Sequence, residues 1–167
     1  MKQTHSHRHP AVKRNCASQS PKLWCSCDIE SDIRKVRDVE EAILSQCQMH
    51  AFTDRDLFAL KLAVEEAINN AIRHGNRSDT SKQIHIKYRV TPRRCDIVIE
   101  DEGDGFNPAA VPDPTSEHNL EQTSGRGLLL MRAFMNSVVF NESGNAVTLT
   151  KFNDSIRQTS RHRVAFG

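Results

Sequence analysis

One stretch, residues 53–76 (T-D-R-D-L-F-A-L-K-L-A-V-E-E-A-I-N-N-A-I-R-H-G-N), constrains the fold of this chain more than any other. Apolar side chains recur in it at spacings of three and four residues, which predicts an amphipathic helix. Thr53 and Asp56 predict a capping box at its start, and Gly75 predicts its end. The apolar stripe consists of Leu57, Leu60, Val64, Ala67, Ile68 and Ala71.

The opposite face of this helix is polar at two positions. Glu66 and Asn70 are one turn apart and therefore point the same way. Their small neighbours Ala59 and Ala63 predict that this face is also covered, by protein or by a ligand. A buried carboxylate and carboxamide need partners, and a metal ion that carries phosphates is one candidate. On the helix alone, a solvated polar face is the simpler interpretation.

Composition limits the class of protein. The chain has 167 residues, of which 37% are hydrophobic and 26% charged, as in one compact domain. A net charge of +2 is too small to indicate a nucleic-acid partner. No apolar run reaches membrane-spanning length, and the N-terminus lacks the apolar segment of a signal peptide, so a cytoplasmic protein is expected. We expect a disordered basic arm over 1–20, a folded domain over 21–152 and a flexible tail over 153–167.

Cysteine and histidine do not predict a structural metal site. The five cysteines are odd in number and scattered, which favours reduced thiols over a zinc site. They are Cys16, Cys25, Cys27, Cys47 and Cys95. His5, His7 and His9 lie in the polar arm, where no structural metal site is expected.

The remaining elements predict an α+β fold. A strand over 22–27 and a helix from an N-cap at Ser31 to about Gln48 precede the 53–76 helix. Strands over 83–90 and 95–100 form a hairpin, a helix covers 128–135, and strands over 138–141 and 146–151 form a closing hairpin. Because helices and strands occur in separate runs, we expect a two-layer sandwich, with a mixed, mainly antiparallel sheet and helices on one face. No G-x-G-x-x-G or P-loop pattern follows a strand.

Two glycine segments are candidates for ligand contact. Asp101 ends a predicted strand and begins D-E-G-D-G-F, where Gly103 and Gly105 allow close approach to the backbone. Asp101 could accept a hydrogen bond from a ligand amine, but the same letters suit an ordinary turn. The segment S-G-R-G over 124–127 opens a helix, where free N–H groups favour an anion; a plain loop-to-helix joint is the alternative. Between them, 107–123 contains three prolines and is expected to be a functional lid or a disordered insert.

The order and spacing of these segments resemble a known superfamily. E-x-x-x-N, D-x-G-x-G and G-x-G are similar to the N, G1 and G2 boxes of the GHKL ATPases, which include DNA gyrase, mismatch-repair ATPases, heat-shock chaperones and histidine kinases. Within that superfamily the chain most resembles the anti-sigma-factor serine/threonine kinases. It has one strand and one helix before the N box, a short lid and nothing similar to a phosphoacceptor helix. The resemblance covers about Leu23 to Lys151 and implies the histidine-kinase-type ATPase fold.

The resemblance also implies roles for individual residues. Glu66 would be the general base and Asn70 the Mg²⁺ ligand. Asp101 would accept from the adenine amine. His74 would face a phosphate or cap the helix end. The remaining nucleotide-binding positions would be Gly103, Gly105 and Thr148 near the base and Gly125, Arg126, Gly127 and Leu128 near the phosphates.

The implied function is an ATP- and Mg²⁺-dependent serine/threonine protein kinase that acts as an anti-sigma factor. It would phosphorylate an anti-anti-sigma (STAS-type) partner and otherwise sequester a sigma factor, without contacting nucleic acid or membrane; relatives suggest a homodimer. The alternatives are a nucleotide-dependent binding switch without phosphotransfer and a detached histidine-kinase-type ATPase domain. Thr123 stands where some of these kinases carry an arginine. Glu65 and Asn69, one step round the helix, are expected to leave catalysis unaffected.

Overall fold

The computed structural model describes residues 23–107 and 126–156. The predicted arm over 1–20, positions 108–125 and positions 157–167 lie outside the described residues, as do Cys16 and the three histidines of the arm. Predictions for those parts of the chain, including the lid and Gly125, stay predictions.

A five-stranded sheet forms one layer of the domain. Its strands are β1 (Cys25–Glu30), β2 (Gln83–Val90), β3 (Arg94–Asp101), β4 (Ser137–Phe140) and β5 (Ala146–Phe152). They lie in the order β1-β2-β3-β5-β4, and all four pairings are antiparallel. The predicted α+β class is confirmed, and within the described residues the sheet is purely antiparallel rather than mixed.

Alternation of side chains explains why the sheet has one covered face. In β2, the buried residues Ile84, Ile86, Tyr88 and Val90 alternate with more exposed polar residues. Cys95, Ile97 and Ile99 of β3 and Val147 and Leu149 of β5 join the same hydrophobic core. Period-two alternation places such residues on one side of a sheet, here the side against which the helices pack.

The first helix differs from its prediction at the start. A 3₁₀ turn (Ile33–Lys35) leads into α1 (Val36–Met49), and the N-cap of that turn is Asp32, whose side chain accepts from the Arg34 N–H. The predicted N-cap, Ser31, is buried instead, and its hydroxyl donates to the Lys82 carbonyl at 3.0 Å. Strand β1 also begins later than predicted, at Cys25.

The 53–76 segment forms a helix in two parts. Helix α2 (Asp54–Asn70) starts with the predicted capping box between Thr53 and Asp56. It continues as a π-helical turn (Ala71–Gly75), closed by a 2.8 Å bond from the Asn76 N–H to the Ala71 carbonyl. The predicted stripe is buried except at Leu57, which is half-buried. Wide turns of this kind occur often at functional sites.

The second face of α2 is covered by protein, as its small residues predict. Helix α3 (Arg126–Phe134) packs against α2, and Phe58 and Phe134 meet edge to face with ring centroids 5.9 Å apart. Ala59 and Ala63 are buried. The polar pair Glu66 and Asn70 therefore lies next to a protein-covered surface rather than on an open helix face.

The folded part of the chain extends past the predicted tail boundary. Asn153 is 1% exposed, and its amide donates to the carbonyls of His50 and Pro92 at 2.9 Å. This side chain ties the end of β5 to two turns far away in the sequence. Cys25, Cys27, Cys47 and Cys95 are buried and form no disulfide within the described part of the chain. Among the described residues, none of the helices is both long and apolar enough to cross a membrane.

Candidate functional site

A cavity of ≈ 470 Å³ opens where the end of α2, the end of β3, the start of α3 and the β4–β5 turn meet. This volume lies within the range of small-ligand sites, about 300–1,000 Å³. Seven predicted site residues line it: Glu66, Asn70, His74, Asp101, Gly105, Gly127 and Leu128. Three separate motifs predicted these residues, which lie up to 62 positions apart in the sequence, and the fold brings them to one cavity.

Helix α2 and the start of α3 meet at one end of the cavity. Glu66 and Asn70 are half-buried and one turn apart on α2. Gly127, in the first turn of α3, lies so close to Glu66 that a methyl group on it would overlap the Glu66 carboxylate. Free backbone N–H groups at a helix start favour anions. A carboxylate and the first turn of a helix therefore face the same space.

A second close contact forms the other end of the cavity. A methyl group on Gly75 would overlap the Asp101 carboxylate, and one on Gly103 would overlap the Gly75 carbonyl. The Asp101 Oδ1 accepts from the Gly103 N–H at 2.9 Å. Burial raises the pKa of Asp101 above its ordinary value of 3.8, and the Gly103 bond opposes that shift. The carboxylate thus retains acceptor capacity at a desolvated position.

The turn between β4 and β5 closes this end from the opposite side. Gly105 has a φ of 72°, a left-handed conformation that favours glycine, and its Cα faces the Ser143 carbonyl. Gly144 has a φ of 73° and lies against the Phe106 backbone. Phe106 and Phe140 meet edge to face at 5.2 Å, and both line the cavity. The two turns interlock, and an aromatic pair forms part of the wall.

Some predicted residues are not brought to the cavity surface. Thr148 lies between the core residues Val147 and Leu149 of β5, so its side chain points to the opposite face of the sheet. The predicted contact of Thr148 with a base is therefore wrong; Val147 and Ala146 line the cavity instead. Gly103 does not line the cavity, but its N–H donates to the Asp101 carboxylate. Gly125 lies outside the described residues, and Arg126 is described only as the first residue of α3.

The structure adds two residues of α2 and its π turn to the site. Asn69 lines the cavity, and its Oδ1 is buried without a hydrogen-bond partner in the described structure. Asn69 is therefore not the neutral control that the sequence suggested, whereas Glu65 is exposed and remains one. Arg73 also lines the cavity. It is seven residues after Glu66, two turns along the same stripe, and that spacing could have identified it.

The lining has a carboxylate at each end, that of Glu66 near α3 and that of Asp101 at the end of β3. Glu66, Asn69, Asn70 and Arg73 supply a carboxylate, two amide side chains and a guanidinium group to the lining, and Glu66 lies against the first turn of α3. The guanidinium group and the backbone N–H groups of the first turn of α3 can donate hydrogen bonds to an anionic group. The described residues contain no cluster of three His, Cys, Asp or Glu side chains that could hold a metal ion by themselves.

Comparison with known proteins gives a family for this arrangement. A family model described as a histidine kinase-like ATPase domain matches residues 28–151. The serine-protein kinase RsbW of Bacillus subtilis (strain 168) is 34% identical over 108 residues, which cover 60% of this chain and 68% of the relative. The serine/threonine-protein kinase BtrW of Bordetella bronchiseptica is 33% identical over 97 residues, or 56% of this chain and 68% of that one.

An anti-sigma F factor of Clostridium perfringens (strain 13 / Type A) is 38% identical over 94 residues, covering 54% of this chain and 66% of the relative. The matched segments thus span about two thirds of each curated relative. A crystal structure of the RsbU and RsbW domains of Rv1364c from Mycobacterium tuberculosis superposes with a TM-score of 0.53. It covers 79% of this chain and 32% of that one at 14% identity, a likeness of fold.

Proposed function

The chain belongs to the histidine kinase-like ATPase family, and we propose that it is an ATP-dependent serine/threonine protein kinase of the anti-sigma type. The observation that carries this proposal is the close approach of Gly127 to Glu66, which is one turn before Asn70 on α2. Asp101 lies at the other end of the same cavity. Relatives named as serine-protein kinases and as an anti-sigma F factor support the same assignment.

The chemistry at the two ends of the cavity supports one orientation for ATP. Adenine carries an amine that can donate to the Asp101 carboxylate, and the aromatic and aliphatic side chains of the lining, such as Phe106 and Ile99, suit the base. The triphosphate then extends toward Glu66, Asn70 and the first turn of α3, where backbone N–H groups and Arg73 offset its charge. Arg73 gives the site a cation, which matters because Thr123 stands where some relatives carry an arginine.

The donor set also fits Mg²⁺. This ion keeps several waters and takes one or two protein ligands together with substrate phosphates, so no three-residue cluster is required. Asn70 would be its ligand, and the unpartnered Asn69 Oδ1 offers a further acceptor in the same cavity. When bound, the ion would neutralise phosphate charge.

The protein's own residues then have simple tasks. Glu66 orients the serine or threonine hydroxyl of the substrate and accepts its proton as the oxygen attacks the γ-phosphorus. The new O–P bond forms while the bond from the γ-phosphorus to the β–γ bridging oxygen breaks, and ADP leaves. Phosphoryl transfer depends mainly on position and charge, which a carboxylate, an amide and backbone donors supply.

We propose an anti-anti-sigma protein of the STAS type as the phosphorylated partner and a sigma factor as the sequestered one. The test incubates the purified chain with γ-labelled ATP, Mg²⁺ and a candidate STAS protein. Acid-stable phosphoserine or phosphothreonine is expected with the wild type and with Glu65→Gln, but not with Glu66→Gln, which should still bind ATP.

Other outcomes of the same assay point elsewhere. An acid-labile product would instead indicate a detached ATPase domain that phosphorylates histidine. ATP-dependent partner binding without transfer under any pairing would contradict the kinase and favour a nucleotide-dependent binding switch.

A further inference from the structure

The peptide group that joins Asp101 to Glu102 is held on both sides by asparagine side chains. The Asn145 Nδ2 donates to the carbonyl oxygen of Asp101 at 3.1 Å. The Asn76 Oδ1 accepts from the N–H of Glu102 at 2.9 Å. The N–H of Asp101 is bonded too, to the backbone carbonyl of Asn145 at 2.9 Å. The N–H and carbonyl of Asp101 and the N–H of Glu102 therefore each have a partner.

Asn76 is anchored in the core of the domain. It is 1% exposed, and its Nδ2 donates to the Ser31 Oγ and to the Gln83 carbonyl, both at 2.8 Å. An amide rotated by half a turn would set its oxygen against the Gln83 carbonyl and its NH₂ against the Glu102 N–H. The bonding therefore permits one orientation of this amide. Asn76 follows the π turn, and its side chain bonds to the connection between β1 and α1, to β2 and to the 101–102 peptide.

Asn145 is anchored within the β4–β5 turn. Its Oδ1 accepts from the Asn141 Nδ2 at 2.8 Å and from the Ser143 Oγ at 2.6 Å. These bonds leave the Nδ2 to face Asp101, and Asn145 also lines the cavity. The carbonyl of the 101–102 peptide is thus held by the β4–β5 turn, and its N–H is held by Asn76.

We propose that this asparagine clamp, Asn76 and Asn145 on the 101–102 peptide, determines which purine the site accepts. The inference rests on the proposed function, because it assigns the Asp101 end of the cavity to the base. A fixed peptide fixes the direction in which the Asp101 side chain leaves the backbone. One carboxylate oxygen is bound by Gly103, which limits rotation further.

The consequence is discrimination between adenine and guanine. A carboxylate held opposite position 6 of a purine accepts from the adenine amine and repels the guanine carbonyl. Sites built around a fixed polar group reject mismatched analogues strongly, whereas a mobile group can turn to a different pattern of donors. Loss of the clamp should therefore change the ratio of ATP affinity to GTP affinity. It should have less effect on the binding of the triphosphate, which the two nucleotides share.

The experiment measures binding and does not depend on transfer. ATP and GTP each displace a fluorescent ribose-labelled ATP from wild type, Asn145→Ala and the control Asn136→Ala. Asn136 is a matched control, because its exposed Oδ1 accepts one backbone N–H, that of Phe152 at 2.8 Å, away from the cavity lining. We expect Asn145→Ala to lose about tenfold of the preference for ATP over GTP, the scale of one lost hydrogen bond. The control should keep the wild-type ratio.

A second variant covers the case in which Asn145→Ala does not fold. Asn145→Asp keeps the acceptor for Asn141 and Ser143 but replaces the donor with an oxygen, and it should reduce the preference at least as much. A wild-type ratio in the folded variants, or equal loss of both affinities, would overturn the clamp while the kinase stands. A wild type that binds no ATP would overturn both proposals.

Discussion

Gly127 and Glu66 are in contact across the α2–α3 interface, with no room between the glycine Cα and the carboxylate for a methyl group. Gly127→Ala should therefore displace the Glu66 carboxylate. Because displacement by about 1 Å can cost about a hundredfold in rate, we expect phosphoryl transfer to fall on that scale. The apo protein should melt no lower than wild type, since alanine favours a helix over glycine. Stopped assays with labelled ATP and thermal melts measure the two effects.

The contact itself can be tested by a double-mutant cycle on ATP affinity. Glu66→Ala removes the carboxylate, so Gly127→Ala in that background should change ATP affinity little. Equal losses in the two backgrounds would mean that Gly127 acts through the helix start alone and not through Glu66.

Asn70→Ala should weaken Mg²⁺-dependent ATP binding with little loss of folding stability. The residue is half-buried on the cavity side of α2, away from the core stripe. Changes even in the outer shell of metal sites cost about 10–100-fold, so loss of a direct ligand should cost at least about tenfold. Titration calorimetry with and without Mg²⁺ separates this effect from general weakening, and Glu65→Gln is the control.

Asn69→Ala is the informative comparison for that measurement. Its buried Oδ1 has no hydrogen-bond partner in the described structure, so alanine should leave the stability of the apo protein unchanged or raise it. Its ATP affinity should fall less than that of Asn70→Ala. A larger effect at Asn69 would transfer the Mg²⁺ ligand role to that residue.

The 53–76 helix, the two hairpins and seven of the residues that line the cavity follow from motifs in the sequence. Spacing alone places Glu66 and Asn70 on one face, and glycines mark Asp101 and Gly127 as points of close approach. The expected role of Thr148 followed from the family resemblance, whereas the alternation of Val147, Thr148 and Leu149 along β5 puts Thr148 on the face opposite the core. The residue type of Ser31 predicts a helix cap, but its hydroxyl donates to the Lys82 carbonyl and Asp32 is the cap instead.

Asn76 shows what local patterns cannot reveal. In the sequence it follows a helix stop and looks like an ordinary turn residue. Its partners Ser31, Gln83 and Glu102 come from three separate segments, so only the tertiary structure makes it a buried hub. Asn145 likewise looks like an ordinary hairpin-turn residue in the sequence. In the structure its turn lies against Gly105, and its side chain bonds to the Asp101 carbonyl.

Asp101→Asn should separate folding from ATP binding. Because burial raises the pKa of Asp101, its ionisation opposes folding as pH rises through 3.8 to the higher folded value. Asparagine removes that cost while it can still accept from Gly103, so the apo protein should melt at the same temperature or higher. ATP affinity should fall by about tenfold or more, because a fixed charged acceptor is lost.

The same carboxyl predicts how ATP binding depends on pH. Protonation of Asp101 removes an acceptor, so ATP affinity of the wild type should decline on acidification at a pH above that of an ordinary aspartate. Asp101→Asn should lack this component. An identical pH profile in both proteins would show that Asp101 does not contact the base.

A buried ion pair far from the cavity predicts acid sensitivity of the fold. Asp56 is fully buried at the start of α2, and Lys151 of β5 lies 3.1 Å from its Oδ1. Burial by itself would raise the pKa of Asp56. Bonds from Thr53, the Asp154 N–H and Lys151 outweigh it and hold the pKa below 3.8. The charged form of Asp56 is therefore stabilised by folding, and this contribution is lost as pH falls through 3.8 to the folded value.

Asp56→Asn should lower the free energy of unfolding at neutral pH by about 3 kcal/mol, the lower end of the range for breaking a buried pair. The buried Lys151 ammonium then keeps only the Asp154 carboxylate, whose Oδ2 is 3.8 Å away. Urea unfolding from about pH 7 to pH 3 should show the gap from wild type narrowing as the wild-type carboxyl is protonated. The double variant Asp56→Asn with Lys151→Met removes both charges and should recover part of the loss. A gap that is constant over this pH range would show that the charge of Asp56 does not stabilise the fold.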